Sequence, residues 1–135
     1  MANQLYDLGR EGFLDGSIDW DTDDIRGAIV NITGAGTLYT PNFVTDKFLS
    51  SINALSRIAA TTAFTAKTVA LGVANATIPL LTAVSGDACE AFVVYKHTGA
   101  DGTARLIAYY DISYTPTGND LQISFSTGAN KAFKL

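Results

Sequence analysis

The chain has 135 residues, a formal net charge of −4, 47% apolar residues and only 16% charged ones. That length suits one domain around one substantial core, and so low a charge leaves a surface of Ser, Thr, Asn, Gly and apolar groups fitted to lasting contact with another protein. The solitary Cys89 excludes an internal disulfide, and one Cys with one His excludes a zinc site held by this chain alone.

No clustered positive footprint is present, so no nucleic-acid partner is expected. No basic segment precedes an apolar one in the manner of a secretory signal, and no apolar run reaches bilayer length, so no membrane partner is expected either. The charge is uneven. Residues 1–24 hold Asp7, Glu11, Asp15, Asp19, Asp21, Asp23 and Asp24 against Arg10 alone, whereas the remainder carries eight basic and six acidic residues.

In chain order, residues 3–15 read as a short amphipathic helix. Leu5, Gly9 and Phe13 recur on one face, with Asn3 as N-cap and Gly16 as C-terminal stop. Gly9 and Gly12 weaken a helix by about 1 kcal/mol each, so their presence predicts a close backbone approach. Residues 17–24 form an acidic connector around Trp20. Residues 25–32 have the β-branched character of a strand, and residues 33–37 break it. After a turn at residues 40–42, Val44, Phe48, Leu49 and Ile52 define a second helix over residues 45–53.

Short strands are predicted at residues 56–61, 67–70, 72–76 and 77–81, with residues 67–73 as a bent hairpin whose Gly supplies the bulge. Pro79 confines its strand to an edge or a start. Four apolar runs follow, at residues 91–96, 106–110, 121–125 and 133–135, separated by Gly-containing breaks. The pattern predicts a mainly β, single-domain antiparallel β-sandwich or barrel with a short N-terminal helix and one further short helix. Its divisions are an acidic N-terminal helix or arm, residues 1–24, and a β core, residues 25–135.

Candidate chemistry is sparse. Asp19, Asp21 and Asp23 alternate as in the opening of an EF-hand loop, but the required Gly and Glu positions are occupied by Asp24 and Val30. A solvated acidic loop that meets a basic patch on a partner is the better reading. His97 ends a strand without a Gly-x-Ser-x-Gly elbow anywhere in the chain, and Cys89 precedes the strongest apolar run as a small buried hydrophobe would. Gly34-Ala35-Gly36 lacks the third glycine of a dinucleotide fingerprint. No cofactor, metal or catalytic residue is therefore assigned, and the chain is read as a non-enzyme. Tyr109 and Tyr110 should point to opposite faces of a strand, one in the core and the other outward, where a tyrosine can anchor an interface. The candidate partner-binding residues are thus Asp19, Trp20, Asp21, Asp23, Asp24, Tyr109 and Tyr110.

The opening NQLYDLGREGFLDGSIDW, residues 3–20, resembles a family of small tailed-bacteriophage virion proteins with a "YD-GR-FL-G-IDW" start. The likeness continues through Asp46 to Ser50, Ala66-Lys67-Thr68-Val69, Gly72-Val73-Ala74, residues 86–96 with Thr98-Gly99, and Leu106-Ile107-Ala108-Tyr109. It closes with residues 115–120, Asn130-Lys131 and Phe133-Lys134-Leu135. It covers nearly the whole chain in order. The departures are residues 34–38 before the Tyr-Thr-Pro turn, and residues 51–55 where a Pro-containing segment is expected. The resemblance implies a capsid decoration (cement) protein that binds the major capsid protein. It further implies a homotrimer or other homo-oligomer on the capsid surface of the virion, made in the cytoplasm of a host bacterium. The alternative within the same family is a tail- or fibre-associated component that binds host-surface glycans.

Overall fold

The structure, a computed structural model, describes residues 3–33 and 39–135; the Gly34-Ala35-Gly36 break lies outside them. The protein is mainly β. A five-stranded antiparallel sheet has the order β1 (Gln4–Leu5), β7 (Leu106–Tyr114), β6 (Cys89–Lys96), β2 (Ile25–Val30), β3 (Arg57–Ala60), and a three-stranded sheet has the order β4 (Thr65–Ala70), β5 (Val73–Thr77), β8 (Phe133–Lys134). Neither sheet closes on itself, so the architecture is an open sandwich and not a barrel.

The apolar content of β6 dictates its place. Residues 91–95 are apolar without alternation and buried throughout, so this strand must be covered on both faces. Phe92 and Val94 point into a core shared with the small sheet, where Ile18, Trp20, Phe64, Ala74 and Ala76 meet Ile25, Ile29 and Ile107. Ala91, Val93 and Tyr95 point the other way, into a second core with Tyr6, Val30, Tyr39, Leu49, Ile52 and Tyr109.

The N-terminal segment differs from the helix read in the sequence. Residues 4–5 are a strand on the edge of the large sheet, with Gln4 opposite Tyr109 and Leu5 opposite Ala108. The helix α1 is confined to Asp7–Leu14. Asn3 is not its cap; the Asn3 Oδ1 accepts from the Asp111 backbone N–H at 2.6 Å. Tyr6 is the capping residue through its backbone, its carbonyl accepting from Gly9 and Arg10 N–H at 3.0 Å each. Ladder pairing with β7 therefore wins over local helix propensity for the first residues. Gly16 does terminate the helix, at φ +80°. Gly9 is a close approach as expected, since a Cβ there would sit 2.7 Å from the Leu106 carbonyl oxygen.

The second helix, residues 45–53, is not formed. Only 3-10 turns at Leu49–Ser51 and Ala54–Ser56 are present. Phe48 is extended and bridges Arg105, while Leu49 N–H donates to the Ala104 carbonyl and Leu106 N–H to that of Lys47. The apolar residues read as a helical face are instead laid along the end of the β6–β7 hairpin. Residues 77–81 and 121–125 also differ from the strands predicted, meeting in a single bridge between Leu81 and Leu121. Ile123 and Phe125 still pack on the core in alternation with exposed Gln122 and Ser124, so the period was real and the ladder was not. The β4–β5 hairpin is present, but its register shift falls between Thr65 and Thr68, at Ala66 with φ 50°, and not at a glycine.

Candidate contact surface

Residues 17–24 are built into the sandwich rather than appended to it. Ile18 and Trp20 are both buried, and the Trp20 indole N–H donates to the Asn75 carbonyl of β5 at 2.9 Å. The indole meets Phe133 of β8 edge-on at 5.1 Å and Phe64 at 6.4 Å. The loop closes on itself, with Asp19 N–H donating to Asp23 Oδ2 at 2.7 Å and Asp23 N–H to the Asp19 carbonyl at 2.9 Å. Among the candidate residues, Trp20 is thus the anchor of the loop, 3% exposed.

The acidic residues divide into two pairs. Asp24 holds Arg26 through two hydrogen bonds of 2.9 Å, and the Arg26 guanidinium keeps its carboxyl below the ordinary range. Asp23 faces Lys96 Nζ at 3.1 Å, and Lys67 Nζ donates to its carbonyl. These two are neutralised within the chain. Asp19 and Asp21 are exposed and in no ion pair among the described residues. Their carboxyl groups act on one another, which lowers the pKa of Asp19 and raises that of Asp21. Two carboxyl groups so close favour a cation arriving from outside. No cluster of three or more His, Cys, Asp or Glu able to hold a metal ion occurs among the described residues.

Asp19 and Asp21 flank an apolar groove of about 480 Å³ whose walls include Phe13, Ile18, Val69, Phe133 and Leu135. Its surroundings are unusually apolar for a surface. Val69 and Leu135 in its wall are each 56% exposed, and Leu71, beside Gly72 of the wall, is 95% exposed. Leu71 and Gly72 form the two-residue turn between Ala70 and Val73, with φ of +53° and +79°. Positive φ at both positions is the type I′ pattern, which favours Asn-Gly. These leucines and Val69 were absent from the sequence-based site; a Leu directly before a turn glycine was the one signal that could have marked them.

The tyrosine pair points to opposite faces, as the strand period requires. Tyr109 is fully buried against Phe43, edge-on at 5.3 Å. Tyr110, on the opposite face, is half-buried under residues 123–133; its hydroxyl donates to the Ala132 carbonyl at 2.7 Å and its ring lies 5.6 Å from Phe125. Tyr109 is thus closed off by the core, while Tyr110 stays half-buried in the wall of a cavity shared with Phe125 and Phe133. Cys89 is buried as expected, and desolvation pushes its thiol up to about 11. No protein-family model matches the chain, and no curated protein matches it.

Proposed function

We propose that the chain is a non-enzymatic structural protein of a tailed-bacteriophage virion, a capsid decoration protein that binds the major capsid protein on the head surface as a homotrimer. The observation that carries a binding role is Leu71. It is 95% exposed at a position with φ +53°, so it suits neither its solvent nor its backbone. A left-handed conformation costs an ordinary L-residue about 1–2 kcal/mol, and a residue kept under such a cost points to a contact the isolated chain does not make. Val69 and Leu135 of the groove wall enlarge the same apolar surface, and apolar patches of this kind mark interaction sites.

The assignment to a phage head rests on the whole-chain resemblance of the sequence. The chemistry of the groove is in keeping with it, because Asp19 and Asp21 would select a basic residue beside an apolar segment of the capsid protein. Charge of this kind sets register and partner choice more than affinity. Cryo-electron microscopy of the virion is the deciding experiment. Density for this chain is expected on the capsid lattice in threefold clusters, with the groove turned toward the shell. Density confined to the tail, or none on the particle, overturns the reading.

A further inference from the structure

The small sheet has an open edge beside the groove. Its order is β4, β5, β8, so β4 is paired on one side alone. The direction of its backbone groups follows from those of β5. The Gly72 carbonyl accepts from Leu135 N–H at 3.0 Å and the Ala74 carbonyl from Ala132 N–H at 3.1 Å, so both turn toward β8. Val69 stands opposite Ala74 in the β4–β5 hairpin. Hydrogen-bonded and non-hydrogen-bonded positions alternate along an antiparallel pair, which makes Val69 and Ala74 a non-hydrogen-bonded pair. The Val69 N–H and C=O therefore point away from β5 to the open edge, and no hydrogen bond from another described residue reaches them.

Edges are ordinarily guarded by a charge, a proline or a bulge. β4 has no proline, and its one charge, Lys67, is drawn onto the Asp23 carbonyl. The register shift at Ala66 leaves Thr68, Val69 and Ala70 in regular pairing. Val69 also lines the groove that Asp19 and Asp21 flank. We propose that the partner of this groove docks as an added β-strand along β4, an inference that rests on the groove being the docking face described above. The incoming main chain accepts from the Val69 N–H and donates to its C=O, which supplies affinity, while alternate side chains supply specificity. On the groove side those side chains meet an apolar wall and two carboxyl groups. The partner is accordingly an extended segment of alternating apolar residues with one Lys or Arg. A second copy pairing through the same edge fits less well, because Lys67 is the sole basic residue of β4 and is engaged within its own chain.

The test is an amide-resolved NMR titration with a short peptide of alternating Val and Thr bearing one central Arg, beside a version with Glu for the Arg and a version methylated on its backbone nitrogens. In the free protein the Val69 N–H is expected to exchange with solvent as an unpaired amide does. The Arg peptide should slow that exchange by about tenfold and shift the Val69 and Leu71 signals saturably. The Glu peptide should bind about tenfold more weakly, because like charges oppose docking, and the methylated peptide should be silent. Val69→Pro removes an N–H that the sheet does not use. Its thermal midpoint should stay near that of the parent while peptide binding falls by about tenfold. Thr68→Pro, which breaks a ladder bond to β5, should lower the midpoint. A Val69 amide already protected in the free protein, no saturable shift with the Arg peptide, or equal binding of the methylated peptide overturns the proposal. Retention on capsids assembled without this chain separates the two readings. Parent and Val69→Pro retained alike overturns the added strand; a parent not retained, with the Arg peptide still bound, overturns the capsid reading and leaves the strand standing.

Discussion

Gly27 illustrates how one missing side chain fixes a core. It lies in β2, and a Cβ there would fall 2.1 Å from the tip of the Phe92 ring. Phe92 is itself 1% exposed, with Phe64 stacked at 6.4 Å and Tyr110 tilted at 6.4 Å. Phe64 and Tyr110 restrict where the ring can move, because interiors are packed near crystal density. Gly27→Ala is therefore expected to destabilise the fold by about 1–3 kcal/mol, the usual cost of overpacking. Urea unfolding should show a lower midpoint with an unchanged slope; a midpoint equal to that of the parent would show that the ring relocates freely. Gly9 belongs to the same class but faces backbone, the Leu106 and Ile107 carbonyl oxygens at 2.7 and 3.0 Å, which can yield less than a side chain.

At the scale of elements, the β4–β5 hairpin carries the sharpest conflict between stability and contact. Leu71→Asn satisfies the type I′ turn and removes an exposed apolar side chain. It is expected to raise the stability of the isolated chain by about 0.5–1 kcal/mol, measured by thermal unfolding. The same substitution should lower retention on capsids, so the two effects carry opposite signs. Stability unchanged or reduced by Leu71→Asn would mean that Leu71 makes a local contact that supports the turn. This hairpin was legible in the sequence because Leu71-Gly72 separates two β-rich runs. So was the β6–β7 pair, because strands buried on both faces read as unbroken apolar runs. The segment at residues 45–53 was not legible. Val44, Phe48, Leu49 and Ile52 have helical spacing, but Phe48 is held extended by its bridge to Arg105 and the Leu49 N–H is taken by the Ala104 carbonyl, partners more than fifty positions away in sequence. Nor was the site fully legible: Asp19 and Asp21, read as contact residues of a solvated loop, lie beside a groove that the sequence did not show, while Trp20 and Tyr109 belong to the core. An aromatic residue in a polar loop gives no sign of which side it will turn to until its neighbours are known.

For the molecule as a whole, the question is whether residues 1–24 form a separable arm. Trp20 links them to both ends of the fold, through Asn75 of β5 at 2.9 Å and Phe133 of β8 at 5.1 Å. Phe133 in turn reaches back to Phe13 of α1 at 5.6 Å. The acidic loop, the helix and the last strand thus share one aromatic cluster, and unfolding any of them exposes the others. Phe133→Ala should cost about 1–2 kcal/mol, less than a fully buried aromatic because the ring is only part-covered. It should also shift the emission of Trp20, the chain's single tryptophan, toward longer wavelengths as water reaches the indole. If the cluster is one cooperative unit, unfolding followed by Trp20 fluorescence and by far-ultraviolet circular dichroism will coincide in parent and variant alike. A separable arm predicts something else: a Trp20 transition at lower denaturant than the loss of β structure. Coincident transitions would also constrain docking, because the carboxylates of Asp19 and Asp21 would then be held in place before a partner arrives. Binding by a preorganised surface avoids the ordering cost that a flexible arm would incur on contact.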